Sequence, residues 1–173
     1  MENIILKCIL VFIIGFACPV SNAMELKSSA FQNNEVIPKL YTCDGKDISP
    51  SLNWSDIPEK TKSLALICDD LDAPGKTWVH WVVYNIAPSL TIFSENILPK
   101  AASENSFNQG INDFKKVGYG GPCPPNGIHR YFFKLYALDS KLNLDNGVTK
   151  EKLLKAMEGH ILSEAELLGR YKR

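Results

Sequence analysis

Residues Trp78–Ile86 read WVHWVVYNI, the clearest structural pattern in the sequence. Successive side chains of a β-strand point to opposite faces, so a segment of this kind has a period of two. One face would carry Trp78, His80, Val82 and Tyr84. The other face would carry Val79, Trp81 and Val83. The segment therefore predicts a strand with a histidine among its apolar side chains.

Two further segments predict long strands on either side of this one. Ser63–Cys68 (SLALIC) is an unbroken apolar run that ends at two aspartates, and it predicts a strand buried on both faces. His129–Leu138 (HRYFFKLYAL) alternates, and one face would carry His129, Tyr131, Phe133 and Leu135. Pro, Gly, Asn and Asp separate such runs, and helical periodicity is scarce before residue 149. The composition of these segments predicts a mainly β domain.

The pattern changes near the C-terminus. Thr149 can cap a helix, Leu153, Leu154 and Met157 form an apolar stripe, and Gly159 can end it. A short helix is therefore expected here. The next segment, His160–Arg170, is ambiguous, because its composition favours helix whereas a β-sandwich would need another strand.

Residues 1–23 predict a signal peptide. A short n-region with one lysine precedes the apolar run Ile9–Ala17, and Ser21-Asn22-Ala23 forms a small-residue cleavage site. The run is too short to cross a bilayer. Cleavage after Ala23 would leave one domain over residues 24–173, in the periplasm or secreted. A retained anchor and a lipid-modified Cys18 are the alternatives.

The charge balance argues against one class of partner. The chain has 19 basic and 19 acidic residues, a formal net charge of zero, and no basic stripe. Proteins that bind nucleic acid neutralise phosphates with such a surface. We therefore expect no nucleic-acid partner.

The cysteines suggest an oxidising environment without fixing a pairing. Cys8 and Cys18 would leave with the signal peptide, and Cys43, Cys68 and Cys123 would remain. Export permits disulfides, and an odd count leaves at least one thiol free.

Two aspartates follow the first predicted strand. Asp70 and Asp72 would point the same way in an extended chain, and two such carboxylates repel each other unless they are paired. Arg130 is an available partner, because its planar guanidinium can bind a carboxylate with two bonds. Pro74 would end the strand. The alternative is that both acids cap a turn.

A second distinctive segment is Gly120–Gly127 (GGPCPPNG), which leads into Ile128-His129-Arg130-Tyr131. Glycines let backbone amides approach a ligand, and prolines stiffen a loop. Successive amides in such a turn can cradle an anion. The alternative is a rigid surface turn.

These segments together resemble the phosphatidylethanolamine-binding protein family, which includes Raf kinase inhibitor proteins and bacterial relatives. The similarity covers roughly Phe31 to Arg173. It rests on Thr42–Gly45, Ile48–Pro50, Leu52–Trp54, Asp70–Pro74, Trp78–Tyr84, Gly120–Tyr131 and Ala156–His160.

The resemblance implies a fold, namely an antiparallel β-sandwich with a short C-terminal helix. It also favours a strand for His160–Arg170. One position departs from the family pattern, since Leu71 replaces the proline usual between the two aspartates. Both carboxylates are retained, so we expect the pocket to be retained too.

The resemblance also implies a small pocket for phosphate-type groups at one end of the sandwich. Its ligand-binding residues would be Asp70, Trp78, His80, Gly121, Pro122, His129 and Tyr131. Asp72, Pro74 and Arg130 would support them. Protonated His80, the Gly121 amide and the Tyr131 hydroxyl would donate hydrogen bonds to the anion. Binding should then weaken as the pH rises past the histidine pKa, near 6.5 when unperturbed.

The family places Cys43 and Cys123 in loops near the pocket, which predicts a disulfide between them. Cys68 lies in an apolar strand and is expected to be a buried free thiol.

The sequence thus predicts an exported, non-enzymatic binding protein for a small anion such as phosphate or a phospholipid head group, without cofactor or metal. Membrane contact would occur only through a lipid head group, and a protein target is a further expected partner. One alternative is a protease or kinase inhibitor acting through the loop Ser89–Gly121. Others are a thiol hydrolase using Cys123 and His129, and a metal site at Asp70, His80 and His129.

Overall fold

The computed structural model describes residues 23–99 and 106–173. The predicted signal peptide lies outside these residues apart from Ala23, as do residues 100–105 of the long loop. The strands are β1 (Glu25–Lys27), β2 (Glu35–Val36), β3 (Leu52–Ser55), β4 (Ser63–Asp70), β5 (Trp78–Ile86), β6 (Ile92–Phe93), β7 (Asn108–Gln109), β8 (Ile128–Leu138) and β9 (Ile161–Lys172). A 3-10 turn covers Lys39–Tyr41, and helix α1 covers Lys150–Met157.

The strands form two sheets. The small sheet has the order β1-β3-β6, and the large sheet has the order β2-β9-β8-β4-β5-β7. The predicted mainly β sandwich is confirmed. The sheets are not strictly antiparallel, however, because β2 pairs with β9 in parallel through Glu35↔Gly169 and Val36↔Arg170.

Apolar side chains form two cores, one on each face of the large sheet. The core between the sheets contains Leu52 and Trp54 of the small sheet together with Leu66 and Phe133 of the large sheet. The second core lies between the large sheet and α1, where Ile67 packs in the same cluster as α1 side chains. Strand β4 is therefore buried along its whole length, as its unbroken apolar run predicts.

The C-terminal helix has the predicted cap. The Thr149 side chain accepts a bond from the Lys152 amide, and Leu153 and Met157 are buried. Leu154 was expected in the same stripe but is 37% exposed. No helix among the described residues is long and apolar enough to cross a membrane.

Strand β9 resolves the ambiguity that composition left after the helix. It pairs with β8 from Ile128↔Lys172 to Leu138↔Ile161. This ladder places Leu167 and Tyr171 in the core between the sheets. The strand implied by the family resemblance is thus confirmed, since long-range pairing overrides local propensity.

Strand β5 contains a β-bulge that the period of two does not predict. Cys68 is opposite Trp81 and Asp69 is opposite Val79, so His80 has no residue opposite it in β4. As a result, Trp81 lies in the core between the sheets while Val79 lies in the core beside α1. The predicted sharing of one face by Val79 and Trp81 is wrong, because one extra residue inverts the alternation.

The long polar stretch Ser89–Gly121 has more structure than its sequence predicts. It contains β6 and β7, and residues 111–117 form a small hairpin closed by the Ile111↔Val117 bridge. Lys115 at its tip has φ 64°, and the Lys115 amide donates to the Asn112 carbonyl. This hairpin carries Phe114 over the start of β5.

Candidate functional site

Three strand ends meet at one end of the large sheet. Antiparallel pairing brings the last residue of β4 beside the first residues of its two neighbours. Asp70 is therefore opposite Trp78 of β5 and also opposite Tyr131 of β8. His80 and His129 lie within two residues of these positions. The sheet thus brings together polar residues that are far apart in sequence.

His129 is held by Asp70. The distance from His129 Nδ1 to Asp70 Oδ2 is 2.7 Å, and both side chains are buried. Because a carboxylate can only accept, Nδ1 carries the proton and donates it. The other carboxylate oxygen, Oδ1, accepts from the Asp72 amide at 2.9 Å. Asp70 therefore fixes both the imidazole and the turn that follows β4.

His80 is held in the same way by a backbone carbonyl. Its Nδ1 lies 2.6 Å from the Gly120 carbonyl oxygen, and the Gly120 amide donates to the His80 carbonyl at 2.9 Å. Burial of the imidazole lowers the pKa of His80 from its ordinary 6.5, although the Gly120 carbonyl opposes this shift. His80 is accordingly neutral at pH 7, with its proton on Nδ1.

The two imidazoles line a cleft of about 230 Å³. Its other walls are mainly apolar. They are formed by Asp70, Ala73, Pro74, Trp78, Phe114, Cys123 and Pro125. The cleft therefore combines two histidine rings and one carboxylate with aromatic and proline walls.

Tyr131 lies beneath the cleft and does not line it. Its ring contacts the edge of His80, with centroids 5.1 Å apart. The Tyr131 hydroxyl is buried and makes no well-formed hydrogen bond to the described residues. Burial and the nearby Asp70 carboxylate raise the pKa of Tyr131. Tyr131 is thus a neutral hydroxyl at the floor of the site.

Gly121 and Pro122 occupy different positions from those expected. The Gly121 amide donates to Asp47 Oδ1 at 2.6 Å, so a carboxylate of this chain already uses the predicted anion donor. Gly121 lines a second cavity of about 210 Å³, together with Asp47 and Tyr119. The Pro122 carbonyl accepts from the Cys43 amide at 3.1 Å. Neither residue lines the cleft between the imidazoles.

Asp72 and Arg130 form the ion pair that guanidinium geometry favours. Arg130 Nε lies 2.9 Å from Asp72 Oδ2, and Nη2 lies 2.8 Å from Oδ1. The Arg130 guanidinium lowers the pKa of Asp72. Asp70 does not share this partner and pairs with His129 instead. Each carboxylate thus has its own partner, His129 for Asp70 and Arg130 for Asp72, which offsets the repulsion between them.

The cysteines adopt the predicted arrangement. Cys43 and Cys123 form a disulfide across 80 positions of sequence, and Cys68 is a buried free thiol. Cys123 also lines both cavities. The disulfide therefore ties the Cys43 loop to the wall of the site.

A comparison with known families identifies this architecture. The family model described as phosphatidylethanolamine-binding protein matches residues 27–172. The chain belongs to the phosphatidylethanolamine-binding protein family. The matched range spans the large sheet, β3 and β6 of the small sheet, α1 and every residue of the cleft, so the predicted family is confirmed.

Relatives of high identity come from distant organisms. A UPF0098 protein of Methanothermobacter thermautotrophicus is 54% identical over 150 residues, covering 87% of this chain and 99% of the relative. A UPF0098 protein of Aquifex aeolicus is 53% identical, covering 87% and 89%. These names identify a family and no activity.

Two solved structures share the fold. A putative phosphatidylethanolamine-binding protein homologue from Chlamydia trachomatis is 46% identical, with a TM-score of 0.82, and covers 88% of this chain and 99% of that one. E. coli YbcL, described as a new member of the mammalian family, is 31% identical, with a TM-score of 0.81, covering 88% and 99%. The β-sandwich of the described residues is therefore the family fold.

Two residues of the site, Phe114 and Asp47, were not predicted from the sequence. Phe114 packs edge-on against Trp78 and His80, with ring centroids 5.4 and 5.3 Å away, and lines both cavities. Asp47 captures the Gly121 amide from 74 positions away. Phe114 lies within the long loop that was expected to be functional, so its aromatic character was the available signal. Nothing local indicates the role of Asp47.

Proposed function

We propose that this family member is an exported receptor for a small oxyanion, a phosphate group either free or at the head of a lipid. The ligand would bind in the cleft between His80 and His129. The proposal concerns binding, and no chemical step on the ligand is included.

The observation that carries this proposal is that both imidazoles line one cleft and contact the protein through the same ring nitrogen. Each uses Nδ1 on the protein, His80 on a carbonyl and His129 on a carboxylate. Nε2 is therefore the nitrogen left for a ligand on each ring. Neither Nε2 atom has a protein hydrogen-bond partner among residues 23–99 and 106–173. Both rings line the cleft, and each Nε2 can donate to an acceptor-rich anion once it is protonated.

Protonation of His80 would couple anion binding to pH. With Nδ1–H already donating to Gly120, a second proton must occupy Nε2, which then donates to the ligand. Burial disfavours that charge in the free protein, and an anion in the cleft restores it. The affinity should therefore rise as the pH falls, over a range lower than an ordinary histidine would give.

The size and walls of the cleft support a small ligand. A volume of about 230 Å³ is below the roughly 300–1,000 Å³ of pockets that enclose drug-sized molecules. Trp78 and Phe114 limit the water around a bound anion, which strengthens its hydrogen bonds. A phosphate group with a short substituent matches these dimensions.

The remaining chemistry of the site favours binding over catalysis. Cys123, the nucleophile of the hydrolase alternative, is in a disulfide and has no thiolate to attack with. Within the described residues, no group of three His, Cys, Asp or Glu side chains is arranged to hold a metal ion. We therefore include neither catalysis nor a metal in the proposal.

Export and a protein partner form the outer part of the proposal. The oxidised Cys43–Cys123 pair supports a periplasmic or secreted location, because such disulfides persist in oxidising compartments. Phe114 lines the cleft, and it exposes apolar surface in the long loop together with Leu98 and Val117, which supports contact with a protein target.

Calorimetric titration with inorganic phosphate between pH 5 and 8 tests the proposal. His80→Asn keeps a donor for the Gly120 carbonyl and removes the Nε2 contact. Since charge-assisted bonds contribute about 1.5–3 kcal/mol, it should weaken binding at pH 5.5 by at least tenfold. His160→Asn, at an exposed pair with Asp139, is the matched control and should change nothing. Affinity that stayed flat across this pH range would refute the proposal. Parallel titration with phosphoethanolamine distinguishes a head group from free phosphate.

A further inference from the structure

A separate cleft of about 480 Å³ opens beside the start of β8. It is lined by Asp72, residues 126–130 and Arg170. Only His129 also lines the cleft described above. The second cleft is therefore a distinct site on the same end of the molecule.

Two arginines on neighbouring strands line this cleft. Arg130 of β8 and Arg170 of β9 are directly opposite in the antiparallel ladder, so their side chains leave the same face of the sheet. Like charges in directly opposite cross-strand positions are destabilising. An arrangement of this kind needs an acceptor between or beside the two cations.

Among the described residues, a negatively charged acceptor is present for only one of the two arginines. Asp72 neutralises Arg130, and its carboxylate accepts hydrogen bonds from Arg130 Nε and Nη2. Arg170 donates from Nε to Asn34 Oδ1 at 2.8 Å, and from Nη2 to the same oxygen. Asn34 is a neutral amide, and no ion pair in the described part of the chain includes Arg170. Two cations and one carboxylate leave the cleft with a net positive charge.

The same contacts hold Arg170 in place for a ligand. The Asn34 side chain fixes one edge of the Arg170 guanidinium. The backbone N–H of Asn34 in turn donates to the Leu168 carbonyl. Nη1 of Arg170 and Nη1 of Arg130 are not used by the residues that the structure describes. A guanidinium whose orientation is fixed before binding loses less entropy when it captures an oxyanion.

We propose that this cleft is a second oxyanion site, in which Arg170, with the free edge of Arg130, binds a phosphate or carboxylate group. It is independent of the proposed function, because Arg170 does not line the cleft between His80 and His129. The negative charge of such a ligand would offset the excess positive charge of this cross-strand arginine pair.

Titration of the ¹⁵N-labelled protein with inorganic phosphate, followed by NMR, tests the proposal. Two sets of amide shifts are expected, one at Trp78 and His80, the other at Gly127, Ile128 and Arg170. Arg170→Gln should raise the apparent Kd of the second set at least fivefold and leave the first unchanged. Lys172→Gln is the matched control, since it removes the same charge two cross-strand pairs along, opposite Ile128, at a residue that does not line the cleft. It should change the Kd less than twofold.

Two results would overturn the second site. One is the absence of phosphate-dependent shifts at Gly127 and Ile128. The other is an equal weakening by Arg170→Gln and Lys172→Gln, which would indicate diffuse surface charge. If Arg170→Gln does not fold, Arg170→Lys is measured instead. Loss of the planar guanidinium should raise the apparent Kd of the second set at least threefold. An unchanged Kd would overturn the site. If the wild-type protein showed phosphate-dependent shifts only in the second set, the receptor function would be refuted and this inference would stand.

Discussion

The Nδ1 atom of His129 lies 2.7 Å from Oδ2 of Asp70, and this pair connects the strand ends that form the site. Asp70 is the last residue of β4, and His129 is near the start of β8. The same carboxylate accepts the Asp72 amide, so it also fixes the turn that carries Pro74 to the cleft wall. One aspartate thus sets both an imidazole tautomer and the shape of its pocket.

The first prediction concerns the stability contributed by this pair. Asp70→Ala leaves the buried donor His129 Nδ1 and the partly buried Asp72 amide without their acceptor. Unsatisfied buried donors cost about 1–3 kcal/mol each, so the free energy of unfolding should fall by at least this amount in urea titrations. Asp139→Ala removes the partner of His160 from a pair whose side chains are about half exposed, and it should cost less than about 1 kcal/mol. Equal losses would contradict the prediction.

The second prediction follows from the lowered pKa of His80. In the unfolded chain His80 takes up its proton near pH 6.5, whereas the folded protein resists protonation until a lower pH. The unfolded state therefore binds more protons in this window, and stability should fall as the pH drops from 6.5 towards the folded-state pKa. Above pH 6.5 His80 is neutral in both the folded and the unfolded state, so the free energy of unfolding no longer changes with pH through this group.

Urea unfolding at pH 7.5, 6.5 and 5.5 measures this dependence. His80→Asn removes the titrating group while keeping a donor for Gly120, so its stability should decline less over the same range. The difference in slope between the two proteins isolates His80 from His129 and His160. Identical slopes would show that burial does not shift this group.

The frame of the fold could be predicted because it depends on local pattern. The apolar run of β4 and the composition of β5 and β8 mark strands that are buried in the structure. The face of Val79 could not be predicted, because the bulge at His80 depends on pairing with β4. A period of two contains no signal for one inserted residue.

The two histidines and the aspartate of the site could be predicted from the sequence, whereas its backbone donors could not. Motif resemblance pointed to His80, His129 and Asp70, which the structure brings together. The Gly121 amide was assigned to a ligand, but it is held by Asp47, a contact between residues far apart in sequence. Such contacts depend on how loops fold over one another, which neither propensity nor spacing encodes.

The third prediction distinguishes two adjacent glycines. A Cβ at Gly120 would lie 2.6 Å from Phe114 Cδ2, whereas a Cβ at Gly121 would lie 2.5 Å from the Tyr41 carbonyl oxygen. The Phe114 ring is partly exposed and can rotate, but the Tyr41 backbone cannot move without distorting the disulfide loop. Gly120→Ala should therefore cost about 1 kcal/mol or less, and Gly121→Ala about 1–3 kcal/mol or more.

Thermal unfolding and tryptophan fluorescence check this pair of variants. In Gly120→Ala, displacement of Phe114 from Trp78 should change the emission of the folded protein while the melting temperature stays close to that of the wild type. Gly121→Ala should lower the melting temperature markedly. The reverse order of stabilities would show that Phe114 is more tightly fixed than its exposure indicates.

The fourth prediction concerns the disulfide between Cys43 and Cys123. It closes a loop of 80 positions, and constraining an unfolded chain over such a loop contributes roughly 4–5 kcal/mol in the chain-entropy model. Urea unfolding with and without dithiothreitol should show a loss of this order on reduction. Cys43→Ser/Cys123→Ser should have the stability of the reduced wild type, and dithiothreitol should not lower it further, because the remaining Cys68 is a buried free thiol. A double variant as stable as the oxidised protein would mean that native contacts, such as the Cys43 amide on the Pro122 carbonyl, hold the loop without the covalent bond.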